Sequence, residues 1–340
     1  MPMHPDSHRP KNILRWKKLH ALFAVALVLQ AALAAAELRI GIIGADTSHA
    51  PAFAKFINTP PANDPVEGVR VTSVFKTFSA DMPLSANRVE GFMKRLLAMP
   101  GITAAASIEE LAQNVDAIMI LSADGRAHLD LARRVIPFRK PVFIDKPLAS
   151  TYRDAVEIIR LAEQHGTPVF SASSLRYTLA KPALAKAAQT AKMGAIKGVF
   201  VWGPAAFEPR TPDLFWYGIH SVESLYAVMG AGCATVQRIH TDDTDIITGI
   251  WPDKRIGTIR GMRDTKSYFG LTLLGANAPL TENAASGYAP LVREIITFFK
   301  TGKPPVPYAE TLEIMAFMEA AELSKQRNGA PVALDEILKP

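Results

Sequence analysis

The segment from Leu38 to His49, LRIGIIGADTSH, is the part of the chain that most constrains the fold. Its apolar start and the glycine that follows predict a first β-strand that turns into a helix, the place where a dinucleotide-binding fold holds pyrophosphate. The glycine code of such turns, G-x-G-x-x-G, is altered, because Asp46 and His49 stand at the second and third positions counted from Gly44. A carboxylate there would take up the helix N-terminus and repel a phosphate. The sequence therefore predicts a dinucleotide-binding scaffold with an altered phosphate site.

Candidate cofactor contacts lie in this turn and at the ends of later strands. Residues 69–75, VRVTSVF, predict a second strand, and Lys76 follows it. An acidic side chain at that place holds the ribose hydroxyls of NAD, whereas a basic one suits the ribose phosphate of NADP. Lys76 is therefore either a contact that favours NADP or a solvated lysine at a strand end. The residues expected to contact NAD or NADP are Gly41, Gly44, Asp46, Thr47, Ser48, His49, Lys76 and Asp124.

Residues 1–36 have the three parts of a secretory signal peptide. Basic residues precede an apolar run, Leu19–Leu33, and small residues end at Ala36. An uncleaved membrane anchor is the alternative, since the run is almost long enough to span a bilayer, but two polar residues interrupt it. We expect Sec-type export, cleavage after Ala36, and a secreted or periplasmic protein with no membrane attachment after cleavage.

The composition is that of an ordinary packed protein, with 49% hydrophobic and 21% charged residues. Much of the net charge of +6 comes from the predicted signal peptide, so the charge does not indicate a nucleic-acid partner. The single cysteine, Cys233, excludes an intramolecular disulfide and a cysteine-rich metal site, and we expect it to be a small buried apolar residue.

Short apolar strands alternate with helices in the first half of the mature chain. Beyond residues 69–75, apolar runs at 115–121, 141–144 and 168–171 predict further strands. This alternation is typical of a doubly wound parallel sheet, on which ligands lie outside the carboxyl ends of the strands. The side chains that would border this crevice are Asp46, Lys76, Asp124, Asp145 and Lys146.

The second half of the chain predicts short strands separated by turn residues, with few helices between them. The strands are expected at 198–202, 235–239, 246–251, 256–261 and 268–274. The predicted fold class is therefore α/β, with an N-terminal Rossmann-like doubly wound parallel sheet and a C-terminal α/β domain that has a largely antiparallel open sheet. We place the first domain at 37–150 and the second at 151–340, with 151–173 completing the Rossmann layer.

The tripeptide Asp145-Lys146-Pro147 stands where a predicted strand ends at the crevice. A lysine there can donate to a substrate oxygen and stabilise developing alkoxide charge, and burial would lower its pKa enough for proton transfer. The alternative is an ion pair that fixes the turn.

Residues 145–149, DKPLA, resemble the Glu-Lys-Pro-Leu-Ala signature of the Gfo/Idh/MocA oxidoreductases. The resemblance covers essentially the whole mature chain, and it implies a Rossmann domain, a C-terminal domain whose open sheet makes oligomer contacts, and NAD(P)-linked oxidation or reduction of sugars and polyols. Further blocks that agree in order and spacing are Val115–His128, Ser174–Tyr177, Gly194–Gly198, Gly218–His220 and Gly302–Val332.

The resemblance also implies roles for single residues. Lys146 would hold and polarise the reacting oxygen, and His220 would be the acid or base, a role that suits imidazole. Arg176 would orient the substrate, and Asp145 and Trp216 would contact it. Taken alone, His220 could equally be a capping or core histidine, and Trp216 could be a core aromatic or a platform for a sugar face.

Several positions depart from the family pattern. Besides Asp46 and His49, Asp124 stands where the family usually has a proline, and Trp216 where it usually has an acidic residue. The first hypothesis is a secreted, homo-oligomeric, NAD(P)-dependent oxidoreductase that acts on a sugar or polyol. The second is a non-redox relative without conventional dinucleotide binding, either a carbohydrate-binding protein or a glycoside hydrolase or lyase.

A metal is not expected, because only the fold could assemble the residues of metal-ligand type. These residues are Asp46, His49, His220 and Glu223. Three further acidic residues are expected to face solvent at a strand end, namely Asp242, Asp243 and Asp245.

Overall fold

The computed structural model describes residues 1, 37–190, 192–265 and 268–339. The predicted signal peptide lies outside the described residues, except for Met1. The described residues from Arg39 onward form one compact unit. Among the described residues, no helix is both long and apolar enough to cross a membrane.

The first sheet contains six strands within the described part of the chain, in the order β3-β2-β1-β4-β5-β6. The pairs β1–β4, β4–β5, β5–β6 and β2–β3 are parallel. The order reverses between β1 and β4, so the crevice at their carboxyl ends is where such a sheet binds its ligand. The strands are β1 (Leu38–Ile43), β2 (Val69–Phe75), β3 (Thr103–Ala104), β4 (Ala117–Ile120), β5 (Val142–Ile144) and β6 (Val169–Phe170).

Helices cover both faces of this sheet, which explains why β4 and β5 are apolar throughout. All four residues of β4 are buried, as in parallel sheets generally. Helix α6 begins at a threonine N-cap, Thr151, whose hydroxyl accepts from the N–H of Asp154, and it ends at Gly166. The helices of this domain are α1 (His49–Asn58), α2 (Pro83–Ala86), α3 (Val89–Leu97), α4 (Ile108–Asn114), α5 (His128–Val135) and α6 (Tyr152–His165).

The second sheet has seven strands among the described residues, in the order β12-β11-β7-β10-β9-β8-β13. Neighbouring strands are antiparallel except β7 and β10, which are parallel. The predicted α/β class with two sheets of these types is confirmed. The strands are β7 (Ile196–Pro204), β8 (Thr235–His240), β9 (Thr244–Ile250), β10 (Ile256–Met262), β11 (Gly270–Gly275), β12 (Pro279–Asn283) and β13 (Val332–Ala333).

Helices pack against one face of the second sheet. The helix α8 contacts β7 and β10, and α10 contacts β8. Alternate residues on the other face are exposed, among them Ile239, Ile250 and Ile256. Two short π-helical segments, Arg176–Ala180 and Leu214–Gly218, lead into α7 and α8. The helices are α7 (Lys181–Gln189), α8 (Ile219–Met229), α9 (Ala289–Thr301), α10 (Tyr308–Gln326) and α11 (Asp335–Leu338).

The expectation that Asp245 faces solvent is wrong. Asp245 is fully buried, and its carboxylate accepts from Arg238 Nε at 2.8 Å, from His240 Nδ1 at 2.7 Å and from Arg263. Strand alternation points Asp245 toward the helices, where a carboxylate is tolerated because the neighbouring strand supplies a buried guanidinium.

The helix α9 attaches the second half of the chain to the Rossmann domain. Arg293 forms an ion pair with Asp64 at 2.7 Å, and Lys300 Nζ donates to the carbonyl oxygen of Pro65 at 2.7 Å. These contacts place Tyr288, the residue before α9, over the crevice of the first sheet.

Candidate active site

A cavity of about 500 Å³ lies at the carboxyl ends of β1, β4 and β5. Its walls come from both halves of the chain, so the Rossmann domain forms only one side. Five of the residues that line it are aromatic, and most of the others are polar. The charged and aromatic residues of the lining include His49, Arg88, Asp145, Lys146, Trp216, His220 and Tyr288.

The two glycines of the first strand and turn have structural reasons to be glycine. Gly44 has φ of +96°, and a Cβ added there would lie 2.6 Å from the backbone nitrogen of Ser122. A Cβ on Gly41 would lie 2.3 Å from Cδ2 of Leu111. The tight turn of a dinucleotide-binding fold is therefore retained.

Asp46 fills the space above this turn. Its side chain is fully buried, Oδ2 accepts from Ser85 Oγ at 2.6 Å, and Oδ1 accepts from the N–H of Ala123 at 3.0 Å. Burial raises the pKa of Asp46, against the hydrogen bonds from Ser85 and Ala123. In a dinucleotide site this position is glycine so that backbone can approach the pyrophosphate. Here a side chain tied on two sides occupies that space.

A segment after β2, residues 76–88, closes the same part of the crevice from above. Arg126 donates to both Asp81, in this segment, and Asp124, after β4, at 2.7–3.0 Å. Because β1 lies between β2 and β4, the contacts of Arg126 with Asp81 and Asp124 pass over the carboxyl end of β1. The bond from Ser85 to Asp46 joins the same segment to the turn that follows β1. Lys76 turns to Glu90, with its Nζ 2.6 Å from the carboxylate.

These contacts test whether the residues present fit a dinucleotide. The candidate residues Gly41, Gly44, Asp46, Lys76 and Asp124 do not line the cavity among the described residues, whereas Thr47, Ser48 and His49 do. The N–H of His49 is bonded to Thr47 Oγ1 at 3.2 Å, so that helix N-terminal donor is also in use. The residues at the turn do not fit a pyrophosphate.

His49 and Asp145 form a buried pair inside the cavity. Nδ1 of His49 donates to Asp145 Oδ2 at 2.6 Å, and the N–H of Lys146 donates to Oδ1 at 2.8 Å. Burial alone would raise the pKa of Asp145, but His49 and Lys146 lower it to about 2. The His49 ring stacks on Phe53 and meets the edge of Tyr288, and its Nε2 has no hydrogen-bond partner among the described residues.

Lys146 presents its ammonium group to the cavity. Its Nζ lies 5.9 Å from the ring centre of Trp216 and has no hydrogen-bond or ion-pair partner among the described residues. Burial lowers the pKa of Lys146, while the neighbouring Asp145 carboxylate acts in the opposite direction. The group is available to a ligand oxygen.

His220, at the start of α8, lies on the opposite side of the cavity from the Rossmann strands. Its Nδ1 is 2.7 Å from Ser173 Oγ, and the ring is held edge-on between Tyr217 and Phe269. Burial lowers the pKa of His220 well below its usual value, and the charge of Lys146 adds to this effect. A neutral imidazole thus faces the same space as the Lys146 ammonium.

The structure does not place Arg176 on the cavity wall. Its side chain is buried behind the wall, with Nε 2.7 Å from Glu223 and a terminal nitrogen 2.7 Å from Glu310. The side chain takes part in an ion-pair network, because the π-helical segment turns Arg176 toward α8 and α10, and its contact with substrate stays a prediction.

The residues of metal-ligand type do not converge either. Asp46 bonds to Ser85, and Glu223 to Arg176. Within the described ranges, no group of three or more histidine, cysteine, aspartate or glutamate side chains is arranged to hold a metal ion.

Three contributors to the site were not predicted from the sequence. Ser173 orients His220, Arg88 reaches the rim from the start of α3, and Tyr288 covers His49. A Ser hydrogen bond to the ring of a distant histidine leaves no local pattern. Tyr288 could have been suspected from its position before the proline-led start of α9.

The comparisons with known proteins concern the fold and its first domain. Residues 38–173 match the model of an oxidoreductase family with an NAD-binding Rossmann fold. A search of curated proteins finds no match.

Solved structures cover nearly the whole chain. A myo-inositol dehydrogenase from Corynebacterium glutamicum aligns with a TM-score of 0.71 at 15% identity, covering 87% of this chain and 98% of that one. The myo-inositol dehydrogenase of Lactobacillus casei, solved with NAD(H) and myo-inositol, gives 0.69 at 17%, covering 87% and 96%. The scyllo-inositol dehydrogenase of the same organism, with NAD(H) and scyllo-inositol, gives 0.70 at 12%, covering 87% and 99%. At these identities the likeness is one of fold.

Proposed function

Because residues 38–173 belong to the Gfo/Idh/MocA oxidoreductase family, we propose that the cavity is the active site of an enzyme that acts on a sugar or polyol. The proposed reaction is proton transfer of the lyase or hydrolase kind, without a conventionally bound dinucleotide. Lys146 polarises the reacting oxygen, and His220 is the acid or base. The main support is that Lys146, whose ammonium group has no hydrogen-bond or ion-pair partner among the described residues, and His220, held by Ser173, line the same cavity.

The chemistry of these two groups is complementary. An ammonium group whose pKa is lowered by burial can donate a hydrogen bond to a substrate oxygen and stabilise negative charge as it develops there. A neutral imidazole can accept a proton at neutral pH, and the Ser173 hydroxyl holds its ring in place.

The cavity also suits a polyhydroxylated ligand. About 500 Å³ is within the usual range of small-molecule sites. Trp216 and the neighbouring aromatic rings offer apolar faces for the C–H side of a sugar, and side chains such as Asn283 and Ser286 offer polar groups. The solved relatives named above bind inositols, which are compounds of this kind.

NAD(P)-dependent oxidation of the same substrates is the competing function, favoured by the family match and by relatives solved with NAD(H). It requires a pyrophosphate at the turn that Asp46 occupies. Lys76 is engaged by Glu90, which gives no preference for NADP. The proposed reaction therefore has no step that involves a dinucleotide.

The first experiment separates the two functions. Purified mature protein is denatured and its supernatant is assayed for NAD(H) and NADP(H) by mass spectrometry, and native protein is titrated with each dinucleotide by calorimetry. We expect no released cofactor and no binding heat. Stoichiometric cofactor, or micromolar affinity for either dinucleotide, would contradict the proposal and support a dehydrogenase.

The second experiment tests the catalytic residues. Sugars and polyols are screened for product formation by NMR without added cofactor, and Lys146→Ala is compared with Lys94→Ala, a lysine on exposed α3. Turnover should be lost in the first variant and kept in the second, with unchanged thermal unfolding in both. Full activity of Lys146→Ala would remove Lys146 from the mechanism.

We also propose export and self-association. N-terminal sequencing of the protein from a producing cell should begin at Glu37, and light scattering should give a homo-oligomer built through the open face of the second sheet. The exposed isoleucines Ile239, Ile250 and Ile256 on this face support the second expectation. An intact Met1 end or a monomer would contradict the respective proposal.

A further inference from the structure

We infer that the ligand of this cavity is an acidic sugar, one that carries a carboxylate. The inference rests on the proposed function for the assignment of the cavity as a substrate site, and it adds the substrate class. It is based on the charged side chains that line the cavity.

Two cations on the wall have no partner. Lys146 Nζ is unpaired, and Arg88 is an exposed residue at the rim with no hydrogen-bond or ion-pair partner among the described residues. An unpaired arginine offers the planar fork of donors that binds a carboxylate through two parallel hydrogen bonds.

The carboxylate of the cavity wall is hydrogen-bonded to neighbouring residues. Asp145 is the single carboxylate among the described residues that line the cavity. One of its oxygens accepts from His49 and the other from the N–H of Lys146, so both are directed to groups of the wall. Among the described residues, the lining therefore carries two cationic side chains, Lys146 and Arg88, and one carboxylate. Lys146 and Arg88 both attract an anionic group, while the aromatic rings of the lining remain for the sugar ring.

A carboxylate also fits the proposed chemistry. It makes the neighbouring C–H more acidic, and cations close to it stabilise the charge that forms when a base such as His220 removes that proton. The C–H electron pair then becomes part of a carbon–carbon double bond as the hydroxyl on the adjacent carbon leaves, and the proton taken up by His220 is delivered to this hydroxyl, which departs as water. This elimination balances without an oxidant or a reductant.

The test is calorimetric titration of the mature protein with four probes, D-gluconate, D-glucuronate, myo-inositol and glucose 6-phosphate, at low and at physiological salt. We expect at least one of the two sugar acids to bind ten-fold or more tightly than myo-inositol, with weaker binding at the higher salt. Equal affinity for the acids and the neutral polyol would overturn the inference. Tighter binding of the phosphate would overturn its assignment to a carboxylate.

Arg88→Gln provides the residue-level test, with Arg153→Gln as the matched exposed control outside the cavity lining. Arg88→Gln should weaken sugar-acid binding about ten-fold, the effect of one lost charged hydrogen bond, and leave the affinity for myo-inositol unchanged. Arg153→Gln should change neither. An Arg88→Gln protein with unaltered acid affinity would refute the role of Arg88. Binding of the acids without any turnover would support this inference and contradict the proposed enzyme.

Discussion

Replacing Arg176 by methionine tests whether this residue stabilises the fold or binds the substrate. The guanidinium is buried between Glu223 and Glu310, and the Nε–Oε2 distance to Glu223 is 2.7 Å. Removing one partner of a buried ion pair leaves an uncompensated charge and costs about 3–5 kcal/mol. For a chain of this size, that corresponds to a fall in Tm of roughly 4–8 °C.

Arg160→Met is the matched control. Arg160 Nε lies at the same 2.7 Å from Glu157, but this pair is on the surface of α6. Exposed pairs contribute about 0–1 kcal/mol, so this variant should unfold almost like the parent protein. Both variants are measured by thermal unfolding and by calorimetric titration with the best sugar ligand.

The pH dependence gives Arg176→Met a second signature. Burial already raises the pKa of Glu223, and Arg176 is the main group that opposes this. Without Arg176, the folded state favours the protonated form of Glu223, so the pKa of Glu223 is higher in the folded than in the unfolded variant. The loss in unfolding free energy relative to the parent protein should therefore be small at pH values below the unfolded pKa of Glu223. It should grow as the pH rises through the folded pKa of Glu223. Equal Tm values for Arg176→Met and Arg160→Met, with ligand affinity lost only in the former, would refute the structural assignment.

Three other outcomes are expected. Gly44→Ala should lower the free energy of unfolding measured in urea by about 3 kcal/mol, because the added Cβ would clash with the backbone of Ser122. Gly68→Ala is the control, since Gly68 also has a positive φ but open space around it, and it should lower this free energy by about 1 kcal/mol. Equal losses in the two variants would contradict the clash. The lowered pKa of His220 predicts that the acidic limb of the rate profile has its midpoint below 6.5, the ordinary pKa of histidine, and an acidic midpoint above 7 would exclude His220 as the base. Burial raises the pKa of Cys233 to about 12, so iodoacetamide at pH 8 should label the thiol only in guanidinium, and labelling of native protein would disprove its burial.

The elements that the sequence predicted well are those with a strong local pattern. The second strand has the same bounds in the structure as in the prediction, Val69–Phe75, because alternating β-branched residues end at a clear boundary. The edge strand β12, Pro279–Asn283, was not predicted, since it is partly exposed and has little hydrophobic periodicity. The π-helical segment Arg176–Ala180 has no sequence signature, and the direction of Arg176 could not be read without it.

In the candidate site, too, the features with a local sequence pattern could be predicted and the long-range contacts could not. That Asp46 alters the phosphate turn follows from the glycine code, but its partner Ser85 lies 39 positions away and no spacing rule connects them. The pair of His49 and Asp145 spans 96 positions. Each residue was expected at the crevice, and their contact became visible only when the strand order brought the ends of β1 and β5 close to each other.

The attachment of α9 determines how a ligand meets this site. Tyr288 belongs to the second half of the chain, yet the ion pair of Arg293 with Asp64 and the hydrogen bond of Lys300 to Pro65 hold its helix on the Rossmann domain. This wall of the cavity is in place before a ligand arrives. Association at this wall needs no hinge motion, so it should follow a single kinetic phase whose rate grows in proportion to ligand concentration.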